Sequence, residues 1–137
     1  MDKPPLVSIL IPAFNAETWL RECVESAINQ TWSRKEIIIV DDGSTDATLD
    51  LARQYKSESV KLVSQRNSGA STARNRALGL SKGNYIQWLD ADDVLAPDKL
   101  ELQLESARDC GSSQFLLSSA CGRFTSDPSK AEFRKSP

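Results

Sequence analysis

Glu36-Ile37-Ile38-Ile39-Val40-Asp41-Asp42-Gly43-Ser44 decides the fold class. Its β-branched run favours extended backbone and has no polar side, as in a strand buried on both faces. The run stops at two carboxylates followed by turn residues. A parallel strand ending in polar groups is the usual entry to a ligand crevice in an open α/β sheet.

Working outward, residues 6–11 form a second near-continuous apolar run, which Pro12 ends. Between the two runs the period changes. Leu20, Val24, Ala27 and Ile28 recur at helical spacing and predict an amphipathic helix over residues 17–30. A short helix is expected over 46–55, with Thr45 or Asp46 as cap. A strand follows over 60–63, then a turn at Asn67-Ser68-Gly69 and a helix over 71–80. Tyr85-Ile86-Gln87-Trp88-Leu89 reads as a fourth strand, running into Asp90-Ala91-Asp92-Asp93. Pro97 opens a helix with Leu100, Leu104 and Ala107 on one face, and residues 115–118 read as a fifth strand. Strands alternating with helices through short links predict an α/β fold. The sheet is Rossmann-like, open and mostly parallel, with helices on both faces. The domain is expected over residues 1–121, with a polar tail over 122–137.

The composition is globular: 39% of residues are hydrophobic and 26% charged in a chain of 137. With a net charge of −2 and no basic run, nothing attracts nucleic acid in bulk. No stretch approaches the roughly 20 apolar residues of a transmembrane segment. Residues 1–5 carry no leader-like apolar segment. Cys23, Cys110 and Cys121 suit neither a disulfide framework nor a zinc site, and are expected reduced and mostly buried. A cytoplasmic location is the expectation, with peripheral membrane association left open. The sequence has no histidine, so any metal must be held by oxygen, which favours Mn²⁺ or Mg²⁺.

The strand ends are where chemistry gathers. They carry Pro12-Ala13-Phe14-Asn15, Asp41-Asp42-Gly43-Ser44 and Asp90-Ala91-Asp92-Asp93. Taken alone, each acidic pair also suits a turn, a helix cap or a solvated loop. Two acidic ends in one sheet are repulsive unless a cation or hydrogen-bond donors offset them. Arg66 and Arg74 are candidate phosphate contacts, with a plain surface role as the competing reading. Neither a dinucleotide fingerprint, a P-loop nor a nucleophile elbow is present.

Taken together these segments resemble the family 2 glycosyltransferases, whose fold is called GT-A. The likeness runs through residues 7–15, Ser26-Ala27-Ile28-Asn29-Gln30-Thr31, residues 36–46, residues 67–75, Gly83-Asn84-Tyr85-Ile86 and Leu89-Asp90-Ala91-Asp92-Asp93. The resemblance implies transfer, with inversion, from a nucleotide-diphosphate sugar, most often a UDP-sugar, to a glycan, lipid or other acceptor. It implies that Ala13 and Asn15 line the nucleotide pocket, with Pro12 setting the turn. Asp41 would bond the base, Asp42 and Ser44 would shape its pocket, and Arg74 would lie near ribose or diphosphate. Asp90-Ala91-Asp92 matches the family's DxD motif. Asp92 would be the main metal contact, with Asp90 or Asp93 serving ribose, sugar or metal.

The resemblance covers a truncated, donor-binding half. It places the catalytic base in a second half, and neither Asp127 nor Glu132 stands in a family-like context. The chain is therefore expected to bind nucleotide with metal and to transfer sugar weakly. An uncovered sheet edge makes a homo-oligomer an expectation. A non-catalytic nucleotide-sugar-binding or scaffold module shares every motif. A phosphoacceptor receiver domain would carry its acidic pair after the first strand. A nucleotidyltransferase would carry a basic glycine-rich loop where Pro12-Ala13-Phe14-Asn15 stands.

Overall fold

The isoleucine run becomes an inner strand of a four-stranded parallel sheet, in the order β3-β2-β1-β4. The elements follow as β1 (Val7–Ala13), α1 (Leu20–Ile28), β2 (Lys35–Asp41), α2 (Thr48–Gln54), β3 (Val60–Ser64), α3 (Ala70–Leu80) and β4 (Tyr85–Trp88). The computed structural model describes residues 3–111, 114, 116–118 and 121–133. It divides into two compact units, Met1–Lys99 and Leu100–Pro137.

Register explains why β1 and β2 show no polar alternation. Ile9, Leu10 and Ile11 stand opposite Ile37, Ile38 and Ile39. Successive side chains take opposite faces, so both faces of this pair are apolar. On one face Leu10, Ile38 and Val40 cluster with Ala73 and Ala77 of α3. Alanines at i and i+4 give that helix a smooth stripe and let it approach the sheet closely. On the opposite face Ile9, Ile11, Ile37 and Ile39 are buried. α1 buries Leu20, Cys23, Val24 and Ala27 and packs on α2, which lies against β2 and β3. Each buried aliphatic side chain contributes about 1.5–3 kcal/mol of apolar transfer.

A polar clasp sits at the starting end of the same strands. Glu36 Oε1 accepts from Ser8 Oγ (2.6 Å) and from the Lys82 N–H (2.6 Å), while Oε2 accepts from Lys61 Nζ (3.2 Å). Burial alone would raise the Glu36 pKa. The bonds from Ser8, Lys82 and Lys61 outweigh it and hold the pKa below the ordinary value. Gly83 donates its N–H to Ser8 Oγ at 2.8 Å.

Several elements differ from expectation. Leu116, Leu117 and Ser118 are not in a strand, and Phe115 lies outside the described residues. Among the described residues no strand pairs with this short run to supply ladder bonds. The segment read as a tail contains an antiparallel pair, β5 (Gly122–Arg123) with β6 (Glu132–Phe133), and a 3₁₀ turn at Pro128–Lys130. α4 (Lys99–Arg108) buries Leu100, Leu104 and Ala107, as the pattern predicts. Of the cysteines only Cys23 is buried. Cys110 and Cys121 are exposed, and Cys110 lies just beyond Ala107, the last buried residue of α4. Among the described residues no helix is long and apolar enough to cross a membrane.

Candidate functional site

The strand order sets the site. β1 lies between β2 and β4, so the chain reverses its direction of travel across the sheet at β1. The carboxyl ends there form the crevice that open α/β sheets use for ligands. A cavity of about 610 Å³ occupies it. Pro12, Ala13 and Asn15 line it from β1 and the loop beyond, Asp42 from the end of β2, Arg74 from α3, and Asp90, Ala91 and Asp92 from the end of β4.

The loops around the cavity are cross-tied. Asn15 has φ 46°, a left-handed conformation that asparagine tolerates. Its N–H donates to Ser44 Oγ (3.0 Å), and its Oδ1 accepts from the Thr45 N–H (2.8 Å). Asp46 Oδ2 accepts from the Glu17 N–H (3.3 Å), and Thr48 Oγ1 accepts from the Ala16 N–H (2.8 Å). Asp46 also accepts from the Thr48 N–H at 2.9 Å, the cap-like role its sequence position suggests, although Ala47 is the residue at the cap. The β1 and β2 loops are thus one polar unit.

Asp42 ties a third loop to these. Its Oδ1 accepts from Gln65 Nε2 (2.7 Å) and the Ser68 N–H (2.8 Å), and Oδ2 from the Gly69 N–H (2.9 Å). Burial works to raise the Asp42 pKa, but the bonds from Gln65, Ser68 and Gly69 prevail and lower it. Asp42 therefore shapes the cavity by holding the Asn67-Ser68-Gly69 loop. Gly43 is forced by the same contact. It has φ 73°, and a Cβ there would stand 2.6 Å from Asn67 N.

Asp41 differs. Its Oδ2 accepts from the Ser44 N–H (3.3 Å) and Ser64 Oγ (3.4 Å). Oδ1 is buried with no partner among the described residues. Asp41 is outside the cavity wall, but its register partner Ala13 and its chain neighbour Asp42 are in it. Ser44 likewise stands behind the wall and acts on Asn15.

At the β4 end, Arg74 Nη2 donates to Asp90 Oδ1 at 2.8 Å across half-exposed surface. This places Arg74 on the cavity side of α3. Arg76 instead reaches Gln65 Oε1 at 3.4 Å. Asp92 is exposed in the wall. Asp93 is outside the wall. Its pKa is raised by burial and then by the charges of Asp92 and Asp90. Cys23 Sγ donates to the Asp90 carbonyl at 3.4 Å. Burial, then the charges of Asp93, Asp92 and Asp90, push its thiol far above the ordinary value, so it is no nucleophile. Among the described residues, no three His, Cys, Asp or Glu side chains are grouped to hold an ion by themselves.

The sequence pattern of "Glycosyl transferase family 2" matches residues 8–122. The chain belongs to this family. Chondroitin synthase of Escherichia coli is 46% identical over 110 residues, covering 79% of the family 2 chain and 16% of that protein. S. aureus TarS 1–349 in complex with UDP-GlcNAc superposes with a TM-score of 0.65 at 30% identity, over 74% of this chain and 30% of that one. The mannosyltransferase PcManGT of Pyrobaculum calidifontis, in complex with GDP-Man and Mn²⁺, superposes at 0.66 and 26% identity, over 72% and 31%. The family 2 chain thus spans under a third of each of these relatives, and its sheet and helices are those of a GT-A glycosyltransferase.

Sequence reasoning passed over Phe14, Trp19 and Asn67 as site residues, yet all three line the cavity. Phe14 was legible as the residue between two predicted wall positions. Trp19 was not, because whether it lies inside a helix or before its first turn depends on where α1 begins.

Proposed function

We propose that the cavity binds a nucleotide-diphosphate sugar, a UDP-sugar, as the donor for inverting transfer to a glycan or lipid acceptor. The carrying observation is the unpartnered Oδ1 of Asp41. Burying an acceptor without a donor costs about 1–3 kcal/mol, which a ligand N–H recovers once the wall formed by Ala13 and Asp42 in front of it gives way. One free oxygen suits uracil, whose edge has a single N–H. Guanine presents two adjacent donor groups and would leave one unmatched. The TarS relative solved with UDP-GlcNAc supports the same choice of donor.

In this reading the base lies toward Asp41, and Pro12, Ala13 and Asn15 hold its surroundings. Arg74 exchanges its bond to Asp90 for the diphosphate, and Asp90 turns to the ribose. Asp92, exposed and in the wall, is the carboxylate for Mn²⁺ or Mg²⁺, with Asp90 or Asp93 beside it. The donor set fits: Mg²⁺ is commonly held by one or two carboxylates, with phosphate oxygens and water completing the shell. Such an ion supplies charge neutralisation for the departing diphosphate. In the second unit Asp127 accepts from the Ser129 N–H (3.0 Å) and Ser129 Oγ (2.7 Å), so it is occupied structurally and is not assigned as the base. Self-association through the open β4 edge and a cytoplasmic, membrane-peripheral setting belong to the same proposal.

Titration calorimetry with UDP and GDP, with and without Mn²⁺, tests it. Metal-enhanced UDP binding that Asp92→Ala removes is the expected result. Equal affinity for GDP, or metal-independent binding, overturns the assignment.

A further inference from the structure

Two exposed aromatic residues, Phe14 and Trp19, line the cavity. Phe14 is 51% and Trp19 39% exposed, so neither is spent in the core. Phe14 follows Ala13, which stands in register with Asp41, and precedes Asn15, which is tied to Ser44 and Thr45. It therefore sits at the β2 end.

Trp19 stands one helical turn before Cys23, the residue of α1 that reaches the loop after β4. It is the residue before the first turn of α1, and its carbonyl accepts from the Cys23 N–H at 3.1 Å. Residues four apart share a helix face. Cys23 points its Sγ at the Asp90 carbonyl, so that face is turned toward the Asp90-Ala91-Asp92 segment. The segment continues along α1, with the Leu95 N–H donating to Ser26 Oγ (3.0 Å) and Gln30 Nε2 donating to the Ala96 carbonyl (2.7 Å). Trp19 is held beside the acidic loop by the helix that anchors the loop.

We infer that Trp19 is a specificity-determining residue whose indole forms the platform for the sugar ring of the donor. A pyranose has one face of C–H groups and a rim of hydroxyls. An indole offers a flat apolar face with a donor N–H at its edge, and carboxylates nearby accept from hydroxyls. The cavity provides that combination, with Trp19, Asp90 and Asp92 all in its wall. The far end, toward Asp41, is left to the base. This inference rests on the donor reading above and adds which residue reads the sugar.

The test compares free UDP with a panel of UDP-GlcNAc, UDP-GalNAc, UDP-glucose and UDP-glucuronate, by calorimetry with Mn²⁺, on the wild type, Trp19→Ala and Trp19→Phe. The measured quantity is the affinity ratio of the tightest UDP-sugar to UDP. In Trp19→Ala that ratio is expected to fall about threefold to tenfold with UDP affinity unchanged, and Trp19→Phe to restore most of it. Retained UDP affinity also reports that the variant is folded. An unchanged ratio, a wild type that gains nothing from the sugar, or an equal loss for UDP overturns the inference. Wild-type protein that binds no UDP at all fails the donor reading instead.

Discussion

Asp41 and Asp42 are adjacent carboxylates with opposite fates. Asp42 has three donors and Asp41 keeps one oxygen unmatched. Asp41→Ala removes that waiting acceptor, and UDP affinity should fall about tenfold or more in calorimetry, in proportion to one buried hydrogen bond. Asp42→Asn turns one of the two acceptor oxygens into an NH2 group that faces an N–H donor and removes the charge from the other. It should cost about 1.5–3 kcal/mol in urea unfolding at pH 7, the range for hydrogen bonds to a charged group. The sign with pH follows from the lowered pKa of Asp42. The carboxylate's stabilisation is complete well above the unfolded aspartate value of about 3.9. It is lost as pH falls through the still lower folded value. The stability gap between wild type and Asp42→Asn should therefore narrow only in acid, and a gap constant down to pH 2 would refute the assignment.

At the scale of elements, close approaches place the strand ends. α3 touches the sheet through Ala73 and Ala77, and Ala77→Leu should overpack that seam by about 1–3 kcal/mol in the same urea assay. Gly83 makes the tightest approach. A Cβ there would meet Ser8 Oγ at 2.5 Å and Ser8 N at 2.6 Å, within the clasp that brings β4 alongside β1. Gly83→Ala should displace the start of β4 and lower the melting temperature. An unchanged melting temperature would mean that β4 is set by its ladder with β1 alone. Helix 17–30 was legible by period and helix 46–55 by its cap residues, but both begin later than expected. Their first residues, Glu17 and Asp46, are engaged in bonds between the β1 and β2 loops, and such partners have no local signature.

For the whole molecule, β4 is the exposed question. Among the described residues it pairs only with β1, and Ile86 and Trp88, on the face where α3 covers β1 and β2, are 37% and 41% exposed. Unpaired edges carrying apolar side chains favour association. Sedimentation should find a concentration-dependent mass that Trp88→Lys shifts toward monomer. A monomer at high concentration in the wild type would remove the homo-oligomer from the proposal.

The sequence by itself determined the class of fold and which polar strand ends line the cavity. Apolar runs buried on both faces, separated by helical periods, admit little but a parallel α/β sheet, and their polar ends name Asn15, Asp42, Asp90 and Asp92 in advance. Local pattern carries that much because burial and period are properties of neighbours along the chain. Only the tertiary structure decided which carboxylate is spent on the fold and which keeps a free oxygen. It also decided that Arg74 faces the cavity and that Trp19 stands beside the acidic loop. Those outcomes depend on strand order and on which loop donates to which oxygen, and these partners lie tens of residues apart in the chain.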